Sequence, residues 1–368
     1  MKPLSVLIAV LIMLLAVLPA SAELPNPADI EDTMISDNGA YEIAFITDVG
    51  DLKDKSFNEG TYNGVKLFAA ERGISYKYYK PANGSQATDE DRYDAMKAAV
   101  DSGAKVVVAA GFMQGAALER AARDYPDVIF LFNDGWQMNL DNELSFDFKE
   151  EQCGYLAGYA VVKEGYEELG FAGGGGGTTP ACNRYGYGFI QGANDAAAEM
   201  DKNVNIRFSW AYGANFNASP ELQVLISGWY ETGTEVVFAC GGAMFDSVAA
   251  AAAANDGAVV GVDVDQSYLS DTVVTSALKD ITHGTYQMLG RIYDGSWKDL
   301  GGYISLDIHD DAVGLPLDTW SFETFTVEEY QAIVDAMKSG EIVVDGDAAT
   351  GDPNAKGPWD HVTVDYVG

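Results

Sequence analysis

Short apolar strands alternating with helices of about 10–15 residues predict an α/β protein built on parallel sheets. The alternation runs through residues 41–134 and starts again at residue 167, so two consecutive halves of similar size are expected, facing each other across a cleft. Aromatic, carboxylate and glycine residues collect just after the strands, at the edge where open parallel sheets hold their ligands.

The elements follow in order. Residues 1–22 read as an export signal: Lys2 is the lone charge, residues 6–18 are wholly apolar, and Ala20-Ser21-Ala22 offers the small residues cleaved before Glu23. The apolar run is shorter than the ~20 residues of a spanning helix, which disfavours a membrane anchor. Residues 23–40, polar and proline-containing, are expected to be a flexible tether. In the first half, YEIAFIT (41–47), ISYKYY (74–79), KVVVAAG (105–111) and VIFLFND (128–134) read as strands. Between them lie helices over 57–73, closed by Gly73, over 89–103 and over 114–126. In the second half, EELGFAGG (167–174), NIRFSW (205–210), TEVVFACGG (234–242) and AVVGVDVDQ (258–266) read as strands, with TVVTSALKD (272–280) after them. Helices are expected over 184–200, over 219–233 with Ser219 as N-cap and Pro220 at the first helical position, and over 246–256.

Composition narrows the function. Cleavage after residue 22 removes Lys2 and no acid, taking the net charge from −34 to −35. Such a surface repels nucleic acid and anionic lipid, and no nucleic-acid partner is expected. Cys153, Cys182 and Cys240 are too few for a disulfide scaffold; one bridge is possible, the odd count leaves a thiol over, and small buried hydrophobes is the plainer reading. His283, His309 and His361 show no metal-ligand spacing, so neither a metal nor a cofactor is expected.

The stretch FITDVGDLKDKSFNEG (45–60) poses the functional question. A calcium loop from Asp48 would need oxygen ligands where Gly50 and Leu52 stand, and glycine where Lys53 stands. The glycine run 173–177 ends in Thr178-Thr179-Pro180, which fits neither a phosphate loop nor a dinucleotide fingerprint, and no GxSxG is present. Ser56 and Glu59 fit a capping box, which makes Phe57 the first residue of a helix aimed at the cleft. The other strand-end candidates are Gly111-Phe112, Asn133-Asp134, Phe216, Gly241-Gly242, Asp263 and Asp265.

At these residues the sequence resembles the basic membrane protein family of ABC-transporter solute-binding proteins, including its purine nucleoside-binding type. The resemblance covers nearly all of the mature chain and rests on FITDVGDLKDKSFNEGTYNGV, EEQCGYLAGYAVVKEG, LGFAGG, RYGYGFIQGA, TEVVFACGG, VVGVDVDQS and VVTSALKD. It implies a type I periplasmic-binding-protein fold, with two Rossmann-like lobes joined by three crossover strands. The chain would cross near Phe146, Ser276 and Gly301, giving lobe 1 as 41–146 plus 276–300 and lobe 2 as 147–275 plus 301–368. Phe57 and Phe216 would stack on a purine from opposite lobes, with Phe112 nearby and Asp48, Asn58 and Asp134 toward the base edge. Asp263 would accept from ribose hydroxyls, with Gly242 beside the sugar and Lys279 completing the polar network.

A non-enzymatic receptor is therefore expected, one that delivers a nucleoside to an ABC permease and its ATPase subunits. A receptor for a sugar or autoinducer-like furanose, and a nucleoside-cleaving enzyme, are the alternatives. A periplasmic or extracellular monomer is expected, associated with the outer face of the membrane through its permease. Relatives often carry a lipid-anchoring cysteine at the cleavage site; the first cysteine here is Cys153, so a soluble form is expected.

Overall fold

The computed structural model describes residues 25–49, 51–347 and 349–367; residues 1–22, expected to be an export signal, lie outside them. The first sheet begins with β1 (Ile43–Ile46), α1 (Phe57–Arg72), β2 (Tyr76–Tyr79), α2 (Asp89–Asp101) and β3 (Val106–Ala110). It continues with α3 (Gly115–Asp124), β4 (Ile129–Asn133) and β5 (Glu143–Phe148). The chain then passes to the second sheet through α4 (Glu150–Glu164), β6 (Glu168–Gly173), α5 (Pro180–Glu199), β7 (Val204–Ser209), α6 (Pro220–Glu231) and β8 (Val236–Cys240). That sheet continues with α7 (Phe245–Ala254), β9 (Ala258–Asp263) and β10 (Val273–Lys279). The remaining elements are α8 (Ile281–Asp294), β11 (Tyr303–Leu306), β12 (Val313–Gly314), α9 (Val327–Ser339) and β13 (Val362–Val367).

The six-stranded sheet has the order β11-β5-β4-β3-β1-β2, and the seven-stranded sheet β12-β10-β9-β8-β6-β7-β13. Removing β11 from the first sheet and β12 and β13 from the second leaves the same doubly wound order in both, and among the described residues only the short β10–β12 ladder is antiparallel. Because the central strands are covered on both faces, they read as continuous apolar runs, such as the fully buried VVVAA of β3 and VVFAC of β8.

The chain changes sheets three times: between Phe148 and Glu150, between Lys279 and Ile281, and between Leu306 and Val313. Each crossing falls a few residues later than the sequence suggested. β10 pairs with β9 as far as Leu278 opposite Asp263, and β11 pairs with β5 up to Leu306 opposite Phe148. Residues 276–279 therefore belong to the second sheet and 303–306 to the first. The flexible-tether reading also needs correction over residues 25–40. The Asp32 carboxylate accepts from the Tyr62 hydroxyl (2.6 Å) and the Tyr76 hydroxyl (3.1 Å), and Met34 packs on the core.

One packing detail positions the site. A methyl group on Gly158 would lie 2.0 Å from the Phe189 carbonyl, and one on Gly188 would lie 2.1 Å from the Glu151 carbonyl. Glycine at both places lets the backbones of α4 and α5 touch. This brings the starts of the two helices, with Glu150, Arg184 and Tyr185, to the base of the cleft.

Candidate functional site

A cavity of about 320 Å³ lies between the carboxyl edges of the two sheets. All nine residues proposed from the sequence border it: Asp48, Phe57, Asn58, Phe112 and Asp134 from the first sheet's strand ends, and Phe216, Gly242, Asp263 and Lys279 from the second's.

The start of α1 is built differently from the expected capping box. Ser56 makes no side-chain cap, and Glu59 accepts from the Lys55 amide instead. The cap is Asp54, whose carboxylate accepts from the backbone amides of Ser56 (3.0 Å), Asn58 (2.9 Å) and Glu59 (3.1 Å). These bonds use the amide donors that a helix start leaves open. The Ser56 hydroxyl is thereby free to reach the other lobe, donating to Asp263 Oδ2 at 2.5 Å. Asn58 has a similar inward role. Its Oδ1 accepts from the Asp48 amide (2.7 Å), and its Nδ2 donates to the Val49 carbonyl and to Asp54. Asn58 thus fixes the loop that carries Asp48, with its amide group already engaged.

Aromatic faces enter from both lobes. Phe57 heads α1, with the Lys279 ammonium 4.9 Å from its ring centre. Phe216 holds a left-handed backbone conformation (φ 57°), fixed by its amide donating to the Gly213 carbonyl and its carbonyl accepting from Met244. Its ring occupies the space left by glycines: a methyl on Gly174 would lie 2.3 Å from it, and one on Gly241 2.9 Å. The glycine run, which fits no phosphate motif, thus makes room for an aromatic wall.

Polar groups at the base form one network. Lys279 donates to Asp134 Oδ2 (2.7 Å) and Glu150 Oε1 (3.1 Å), with Asp263 Oδ1 at 3.9 Å. Arg184 donates to Glu150 Oε2 (2.6 Å) and Asp147 Oδ2 (3.2 Å). Burial acts to neutralise Glu150, yet Arg184 and Lys279 outweigh it and hold its carboxyl below the ordinary glutamate range. Asp263 also accepts from the Tyr185 hydroxyl at 3.0 Å. Asp48 and Asp134 line the cavity, the Oδ1 atom of each is buried without a hydrogen-bond donor, and burial pushes each carboxyl up to about 7. Both cations lining the cavity are spent on carboxylates, leaving no charge to receive a phosphate. Among the described residues no cluster could hold a metal ion.

The sequence reading gave no role to Trp136, Arg184 or Tyr185, which also border the cavity, nor to Glu150 behind them. Trp136 follows Asp134 by two residues, so the strand-end rule that located Asp134 could have reached it. Arg184 and Tyr185 lie at the start of the RYGYGFIQGA stretch, whose helical pattern carries no sign of what its first turn touches.

Further bonds cross the cleft beside Ser56–Asp263: Gln266 Nε2 donates to the Lys55 carbonyl (3.1 Å), and Lys55 pairs with Asp246 (3.3 Å). The lobes are closed on the cavity. Burial also pushes the carboxyls of Glu143 and Glu151 up to about 7. With Asp48 and Asp134, these groups hold protons more tightly folded than unfolded, so folding takes up protons between about pH 4 and about pH 7. Urea denaturation is expected to show a more stable protein near pH 5.5 than near pH 8; equal midpoints or the reverse order would contradict these carboxyl assignments.

Two doubly wound lobes meeting on an enclosed cavity define a solute-binding protein of the type I periplasmic fold. A family model described as "ABC transporter substrate-binding protein PnrA-like" matches residues 41–347, and the chain belongs to that family, whose members are substrate-binding proteins and not enzymes. It is 24% identical over 303 residues to the "ABC transporter nucleoside-binding protein BmpA" of Lactococcus lactis, covering 76% of this chain and 82% of that one. It is 25% identical over 290 residues to a Pyrococcus abyssi protein called an uncharacterized lipoprotein, covering 74% and 68%. A solute-binding protein of an ABC transporter system from Aeropyrum pernix superposes with a TM-score of 0.65 at 21% identity, covering 83% of this chain and 88% of that one. No described helix is long and apolar enough to cross a membrane.

Proposed function

We propose that the protein captures a purine nucleoside in the interlobe cavity and delivers it to an ABC permease and its ATPase subunits. One observation carries this reading: Phe57 and Phe216 come from opposite lobes to one cavity that offers carboxylates but no unpaired cation. Aromatic faces suit a planar base. Carboxylates suit the hydroxyls of a sugar and the N–H groups of a base, through charge-assisted hydrogen bonds. Asp48 and Asp134, each with an oxygen lacking a donor, take the base edge. Asp263, with Gly242 and Lys279 beside it, takes the ribose diol, which displaces the Ser56 hydroxyl. The closed lobes are the state that a ligand held between them stabilises.

Residues 1–22, which read as an export signal, support capture outside the cytoplasm, on the outer face of the membrane, by a receptor that acts as a monomer. The relative called a lipoprotein raises the matter of membrane attachment; the cysteines of this chain are all buried within the fold.

Titration calorimetry with inosine, guanosine, adenosine, cytidine and free ribose is the test. Purine nucleosides should bind at micromolar affinity or better, while their 5′-monophosphates and ribose should not. Ribose binding as tightly as the nucleosides would overturn the stacking model.

A further inference from the structure

All three cysteines are free and buried, and two of them share the wall of the ligand cavity. Cys182 stands in the first turn of α5, and Cys240 is the last residue of β8. As the crossover helix between parallel strands β6 and β7, α5 returns antiparallel to them, so its first turn lies level with their carboxyl ends. Tyr185, three residues beyond Cys182 on the same helix face, packs edge-on against Phe238, with ring centres 5.8 Å apart. Phe238 in turn lies two residues before Cys240 on the same face of its strand. One helical turn back and two strand residues forward lead in the same direction, by about 4.5 Å and about 6.7 Å. The two thiols therefore meet side by side. Burial and the adjacent Cys182 thiol together push the Cys240 thiol well above its ordinary range.

We infer that Cys182 and Cys240 form a thiol pair in the cavity wall, which a small disulfide such as oxidised glutathione converts to an intrachain disulfide. Cys182 reacts first. It is 6% exposed and lines the cavity, where Cys240 is fully buried at the end of its strand. Its thiolate attacks one sulfur of the oxidant and breaks the S–S bond, expelling one small thiolate, which takes up the proton Cys182 gave up. The Cys240 sulfur, losing its proton, then attacks the Cys182 sulfur and releases the second small thiol. The protein loses two hydrogens and two electrons, and the oxidant gains both as two thiols. The bond would tether the strand end leading into Gly241, against which the Phe216 ring is seated. Oxidation thus acts on the ligand-binding wall, in the extracytoplasmic setting proposed above.

Cys153 serves as the internal control, buried in α4 with its thiol donating to the Glu150 carbonyl (3.4 Å). The test is incubation of the folded, full-length protein with oxidised glutathione, followed by alkylation in denaturant and peptide mapping by mass spectrometry. The expected product is a Cys182–Cys240 cross-linked peptide with Cys153 alkylated, formed equally in Cys153→Ser and absent in Cys182→Ser. Glutathione retained on Cys182 without closure onto Cys240, three thiols left free, or a cross-link through Cys153 would each overturn the inference. None of these readouts depends on which solute the cavity holds.

Discussion

Phe57→Ala and Phe216→Ala are each expected to weaken purine nucleoside binding by about 10- to 100-fold. A base-stacking partner contributes ~1–3 kcal/mol, and each of the two residues lines the cavity from a different lobe. The variants separate two roles an aromatic can have here. If the rings served only as packing, alanine would lower stability and leave affinity unchanged. Phe57 is only partly buried and its helix is capped by Asp54, so Phe57→Ala should keep the urea midpoint close to that of the parent. Phe216 sits in a left-handed conformation that alanine tolerates no better, so its substitution adds little new backbone strain. Phe216→Leu is the informative companion, because it retains apolar bulk but loses the flat face. Leucine should recover most of the stability and little of the affinity. Calorimetry with inosine, paired with urea denaturation, reads both quantities.

Lys279→Met is expected to cost about 3–5 kcal/mol of stability at neutral pH, the largest effect of any single change in the cleft. Lys279 is 3% exposed and is the cation shared by Asp134 and Glu150, with Asp263 nearby. Removing it leaves buried carboxylates uncompensated, which is far worse than replacing the whole group by apolar residues. Two further results follow from that cause. The loss should shrink as the pH falls, because the stranded carboxyls can then protonate, and Asp134→Asn should partly rescue Lys279→Met. Lys55→Met is the contrast. Its ion pair with Asp246 also crosses the cleft, but the side chains are 44% and 52% exposed, so the change should stay within ~1 kcal/mol. Equal costs for the two lysines would show that burial of the network is not what makes Lys279 matter.

Much of this arrangement was legible in the sequence, because the strand and helix periods are local and the ligand edge of a parallel sheet is fixed by strand direction. Finding the strands was enough to find Asp48, Asp134, Phe216 and Asp263. What escaped depends on partners distant in sequence. Ser56 and Glu59 have the spacing of a capping box, but the Ser56 hydroxyl is drawn to Asp263, which lies 207 positions away. The crossings were placed early because the ends of β10 and β11 are set by ladders with β9 and β5, and nothing within either strand marks them. Residues 25–40 have the composition of a tether, and only the hydroxyls of Tyr62 and Tyr76 hold Asp32 down. β13 went unnoticed because it is an edge strand whose alternate residues face solvent, paired in parallel with β7.

Phe57 and Phe216 are expected to close on the two faces of one purine ring. Diffraction from crystals of the protein grown with inosine tests it most directly. The base should lie between the two phenyl rings with its edge toward Asp48 and Asp134, and the ribose hydroxyls on Asp263 in place of the Ser56 hydroxyl. Inosine bound with its sugar between the rings, or bound anywhere outside the interlobe cavity, would contradict it.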